Sequence, residues 1–171
     1  MLRPFRYALL ALLIVPGGAC IPPSTGVRVF EDPFAGRTRA FDVYLDSGHL
    51  TAVSVTHTRS STKLEVTVVD RSAVRSSVPA GTAVEFRLGD QTLSLPTEAE
   101  SPPIGSADQD GGGVTQWRLS LAPTREQTER FGAAPLRSFR VEIGGSPRQV
   151  TLSEERGRTM QQNMQAVLAD E

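Results

Sequence analysis

The sequence predicts an α+β domain built mainly from antiparallel β-hairpins, with one short helix and a C-terminal amphipathic helix packed on the sheet. Three observations predict it. Apolar and polar residues alternate at a period of two through much of 38–152. Clusters of Gly, Pro, Asp and Ser separate the alternating runs. The period lengthens to that of a helix only near 124–131 and again after Ser153. Alternation with one apolar face, broken by short turns, is the signature of half-buried antiparallel strands. An all-β sandwich with peripheral helices is the alternative that the same pattern allows.

The elements follow in order. From Thr38, residues Phe41, Val43 and Leu45 point one way while Asp42, Tyr44 and Asp46 point the other. Asp46-Ser47-Gly48 is a turn signal. Val53 and Val55 then alternate with Ser54 and Thr56, and Leu64, Val66 and Val68 with Glu65 and Thr67. Pro79-Ala80-Gly81 turns the chain again. Val84, Phe86 and Leu88, then Gly89-Asp90, then Leu93 and Leu95 spell a hairpin on a two-residue turn. Residues 96–113 read as a long polar loop carrying Glu98, Glu100, Asp108 and Asp110 and no basic residue. Loops of that length are usually functional or disordered. Trp117, Leu119 and Leu121 resume the alternation.

Thr124-Arg125-Glu126-Gln127 is a capping box that starts a helix to about Phe131, with Gly132 as its stop and Pro135 barring continuation. Phe139, Val141 and Ile143 form the next strand, and Gly144-Gly145 turns into Gln149–Leu152. Ser153 caps the last helix, with Glu154 and Glu155 favourably placed at the positive end of its dipole. Met160, Met164, Val167 and Leu168 make one apolar stripe along it. Gly157 weakens its first turn by about 1 kcal/mol relative to alanine. The segments Phe41–Asp46, Val84–Gly89 and Phe139–Gly144 echo one another, as hairpin strands commonly do.

The N-terminus carries a different pattern. Arg3 and Arg6 precede the apolar run Tyr7–Val15, Pro16 breaks it, and Gly17-Gly18-Ala19 lead to Cys20. This is the charged, apolar and small-residue order of a secretory signal. The run is too short for a bilayer span, which takes roughly 20 residues. The arginines stay on the cytoplasmic side while the apolar stretch enters the membrane. Pro16 and the glycines end the helix, so that a peptidase meets extended backbone. The chain therefore divides into a signal peptide at 1–19, a Pro- and Gly-rich tether at 20–37 with a short edge strand at Val27–Phe30, and a single domain at 38–171.

Cys20 is the only cysteine. With the small residue Ala19 before it, the segment resembles the lipobox of bacterial lipoproteins. The resemblance covers about twenty residues of the chain. It implies cleavage after Ala19, diacylglyceryl modification of the Cys20 thiol, and attachment to the membrane through that lipid. Ile21, where Asp would favour inner-membrane retention, implies the outer membrane facing the periplasm in a diderm cell. Gly17-Gly18-Ala19 also fits ordinary signal cleavage, which cuts at the same bond and adds no lipid. A free lone thiol in an oxidising compartment is a liability that lipidation removes.

Composition bounds the rest. Cleavage removes two arginines, leaving 16 basic residues against 19 acidic, a net charge of −3. That is no electrostatic footprint for nucleic acid and no polybasic membrane patch. Lys63 is the one lysine; arginine supplies the other basic side chains. With no second cysteine, the domain rests on its apolar core.

The residues point to no catalytic, metal or cofactor site. His49 and His57 are the only histidines. Neither sits in the cluster of three or four ligands that zinc takes, and both share phase with Val53 and Val55. No G-x-S-x-G elbow surrounds a serine. Asp108-Gln109-Asp110-Gly111 begins like a calcium loop, but Leu119 stands at position twelve where an EF-hand needs Glu. Gly111–Gly113 lack the Lys and Ser/Thr of a phosphate loop. Arg118 and Arg140 fall out of phase with the apolar residues and face solvent or pair with acids such as Glu85 or Glu142. The expectation is a cell-envelope lipoprotein acting as a non-enzymatic binding or structural module, with the membrane and other envelope proteins as partners. The alternatives are a membrane-anchored hydrolase, marked by a cleft with converging Ser, His and Asp, and a lipid or small-ligand carrier, marked by an apolar cavity under the last helix.

Overall fold

The computed structural model describes residues 26–32, 36–45, 51–71, 75–107 and 113–169. Along them run β1 (Arg28–Asp32), β2 (Gly36–Tyr44), β3 (Ala52–His57), β4 (Thr62–Asp70), β5 (Ala83–Leu88), β6 (Gln91–Pro96), β7 (Ile104–Ala107) and β8 (Gly113–Leu121). Helix α1 (Arg125–Ala133), β9 (Leu136–Ile143), β10 (Ser146–Thr151) and α2 (Glu154–Leu168) follow. The strands form two sheets, ordered β1-β2-β3-β4-β8-β7 and β10-β9-β5-β6. Every neighbouring pair is antiparallel.

The alternation read from the sequence is the burial pattern. Phe41, Val43, Val53, Val55, Leu64, Val66, Trp117, Leu119 and Leu121 of the larger sheet are fully or almost fully buried. Val84, Phe86, Leu95, Phe139, Val141 and Ile143 of the smaller sheet are buried likewise, and both sets belong to one core. Burying each such side chain contributes about 1.5–3 kcal/mol before entropy is counted. Trp117 is admitted because its Nε1 donates to the Ser76 carbonyl at 2.9 Å, so the polar tip of the ring is satisfied. An ion pair between Arg148 of β10 and Asp70 of β4, 2.7 Å apart, ties the edge of one sheet to the other.

The helices belong to the core, which makes the fold α+β. Phe131 of α1 meets Phe86 edge-on, with ring centroids 5.2 Å apart. Met160, Met164 and Val167 of α2 are fully buried. Helix α2 touches α1, β2 of the larger sheet and β9 of the smaller one, so it docks across both sheets.

Both helix starts are as expected. The Thr124 hydroxyl accepts from Gln127 N at 3.3 Å, and the Gln127 side chain accepts from Thr124 N at 2.8 Å. Ser153 Oγ accepts from Arg156 N. Replacing Thr124 with alanine should cost about 1 kcal/mol, the usual value for a lost N-cap. Urea unfolding beside Thr124→Ser, which keeps the cap, checks it.

Several boundaries differ from the sequence reading. The loop expected at 96–113 contains β7, paired with β8 from Ile104↔Gln116 to Ala107↔Gly113. Ile104-Gly-Ser-Ala has no alternation of its own, so its strand form comes from its partner. Gly132 does not stop α1, which runs on to Ala133, because Gly132 is buried where α1 meets Gln165 and Leu168 of α2. Strand β9 starts at Leu136. A bulge opposite Arg87 and Leu88 brings both Leu136 and Phe139 to the core side. Strand β10 begins at Ser146, straight after Gly144-Gly145, whose φ values of 59° and 74° suit a two-residue hairpin turn. The edge strand expected at Val27–Phe30 is β1, shifted to Arg28–Asp32, while residues 36–37 of the segment read as a tether form the start of β2. The Asp46-Ser47-Gly48 turn, His49, Asp108, Asp110 and the segment 1–25, with Ala19 and Cys20, lie outside the described residues.

Candidate functional site

Alternation along β2 puts Arg39 on the same face as Phe41 and Val43, toward the interior. Register does the same for its neighbours: Arg39 lies opposite His57 on β3, and His57 opposite Thr62 on β4. The three side chains form a polar row at one end of the larger sheet's inner face, all buried, with Arg39 only 6% exposed. Thr62 Oγ1 lies 2.8 Å from His57 Nδ1. Arg39 Nη1 donates to the Val167 carbonyl in the last turn of α2 at 2.8 Å.

The row meets a need of the helix. The last carbonyls of an α-helix have no partner within it and carry the negative end of its dipole. The last turn of α2 has no basic residue of its own, and Arg39 brings a cation to it. A similar device closes α1. Gln161 and Gln165 of α2 donate to the Gly132 carbonyl at 3.3 and 2.8 Å. Arg39, at one end of the buried polar row, is thus a clasp between β2 and α2.

Among the described residues, grooves lie on the smaller sheet. One, of about 690 Å³, is lined by Pro79, Thr82, Glu85, Arg140, Glu142 and Pro147 among others. Within it Arg140 and Glu85 pair at 2.6 Å, one of the pairings expected from their phase. Another, of about 510 Å³, lies where Arg87, Ser138 and Thr151 approach the start of α2. Both are open, and their titratable side chains sit on strand faces, in the Gly89-Asp90 turn and at the start of α2. Arg118 faces solvent as expected.

Of the two histidines, His57 is held in the buried row beside Thr62. Among the described residues, no three of His, Cys, Asp and Glu come together as metal ligands. Between the sheets, side chains such as Phe41, Val53, Leu64, Phe86 and Trp117 have no accessible surface. No described helix is long and apolar enough to cross a membrane. Compared with protein families, curated proteins and solved structures, the chain finds no match.

Sequence reasoning passed over Arg39. Its signal was present, since an arginine in phase with Phe41, Val43 and Leu45 is either at the end of a strand or buried for a reason.

Proposed function

We propose that the chain is an exported lipoprotein, cut after Ala19 and anchored through lipid on Cys20, whose domain is a non-enzymatic binding or structural module of the cell envelope. The observation that carries this reading is the order of the first twenty residues: Arg3 and Arg6, the apolar run to Val15, Pro16, two glycines, Ala19 and the lone cysteine. Acyl chains bind a bilayer with about 0.8 kcal/mol per buried methylene, and more than one chain makes a lasting anchor. The non-enzymatic part is supported by the placement of His57, buried and engaged by Thr62. The full burial of core side chains of both sheets favours a module that works through its surface over one that carries lipid inside. Its partners on this reading are the membrane and other envelope proteins. Ile21 favours the outer membrane of a diderm cell, facing the periplasm.

Intact mass and detergent partitioning of the native protein, beside Cys20→Ala, test the proposal. The expected result is a chain beginning at Cys20 with a diacylglyceryl-sized increment, found in the detergent phase. Cys20→Ala should lack the increment and move to the aqueous phase. A cleaved wild-type chain with an unmodified Cys20 in the aqueous phase would overturn the anchor and leave a secreted protein.

A further inference from the structure

Among the described residues, the large apolar side chains left exposed sit at the edges of the larger sheet. Val29 is 51% exposed and Phe30 46%, both on β1; Ile104 is 48% exposed on β7, at the opposite edge. As neighbours in a strand, Val29 and Phe30 point to opposite faces. Val29 lies across from Arg39 and Phe30 from Thr38. Strand β1 therefore presents an apolar rim: a bare side chain on each face, beside a row of backbone groups that no described strand pairs. Proteins usually cover or blunt such an edge.

Covalent geometry says where this rim lies relative to Cys20. Val27 packs against the core and so has a fixed place in the domain. Six residues, Ile21 to Gly26, separate Val27 from Cys20. Fully extended, they let Cys20 lie no more than about 24 Å from Val27. Val29 and Phe30 follow within three residues. Ile104 is five strand spacings away across the sheet, again about 24 Å. Of the two apolar edges, β1 is the one beside the leash, and β7 comes within its reach only at full extension.

We infer that the β1 edge, through Val29 and Phe30, is the face that the domain lays against the lipid surface holding its anchor. The inference rests on the lipidation of Cys20. Two half-exposed side chains bind a bilayer weakly by themselves. The leash, however, holds them at high local concentration, where a small gain is enough to set orientation. The contact lies at headgroup depth, because the outer backbone groups of β1 need water and hydrocarbon would strand them.

The test uses the full chain made in a bacterial host that lipidates it and placed in phosphatidylcholine–phosphatidylglycerol vesicles. A fluorophore is attached at Glu31→Cys, beside the intact rim, or at Ile104→Cys. An acylated Cys20 cannot react, so each variant takes one label and the parent chain none. Label on the parent chain would show that the lipidation reading has failed, and the inference with it. With one label per variant, the orientation is tested by itself. The expected result is several-fold stronger quenching at position 31 than at 104 by headgroup-depth nitroxide lipids, lost when Val29→Ser and Phe30→Ser are added. Equal quenching at both positions would overturn the inference. So would a label at 31 shielded from aqueous iodide but untouched by the lipid quencher, which would assign the rim to a second copy or another protein.

Discussion

Replacing Gly157 with alanine should destabilise the domain by about 2–3 kcal/mol, although the same change in an open helix stabilises by about 1 kcal/mol. The sign turns on one contact. A Cβ built on Gly157 falls 2.3 Å from the Leu136 carbonyl oxygen and 3.3 Å from its carbon. Neither side can give easily. Leu136 is buried and paired with Leu88 just beyond the β9 bulge. Gly157 is buried in the first turn of α2, one turn before the fully buried Met160. To admit the methyl group α2 must lift from β9, and overpacking of this kind costs roughly 1–3 kcal/mol and occasionally more. For a domain of this size the midpoint should fall by about 5–10 °C. Thermal and urea unfolding beside Gln162→Ala, an exposed position on the same helix, isolates the contact. Gln162→Ala should be neutral or slightly stabilising. A Gly157→Ala protein more stable than wild type would mean that α2 does not rest on β9 here.

The same glycine shows where local reading stops. As a sequence feature Gly157 is a weak point in a helix; in the fold it is the place where helix and strand backbones meet. The helix ends divide in the same way. Thr124 with Gln127, and Ser153, cap their helices from within four residues, so the N-termini are legible in a short window. The C-termini are closed by Gln165, 33 residues from Gly132, and by Arg39, 128 residues from Val167. No short window contains both partners of such a pair. Strands behave likewise. β2, β4, β5, β8 and β9 each bury one alternating face and announce themselves, which is why the α+β class was readable. β7 offers one large apolar residue in four and is a strand because β8 pairs with it. The buried row was half legible. Phase put His57 with Val53 and Val55, but the reach of Arg39 to α2 depends on how the helix crosses the sheets.

Arg39→Met should cost about 2–3 kcal/mol, with the damage concentrated in α2. Methionine keeps much of the length and apolar character of the arginine stem, so a lost donor and charge dominate over a new cavity. What is lost is a hydrogen bond from a charged, buried group to the Val167 carbonyl, an interaction generally worth about 1.5–3 kcal/mol. A cation at the negative end of a helix adds up to about 2 kcal/mol in partly buried settings, and these contributions overlap. Because the pair is buried, the loss should change little between low salt and 1 M salt, where an exposed ion pair is screened. Lysine should restore only part of it, since an ammonium on a single stem cannot reproduce the planar spread of guanidinium donors. Urea unfolding gives the total and amide exchange its location. The last turn of α2 should lose protection first, while the Leu64–Val68 stretch of β4 follows only the global change. An Arg39→Met protein with wild-type stability and undisturbed protection in α2 would show that the helix end is held by other contacts and that the clasp contributes nothing.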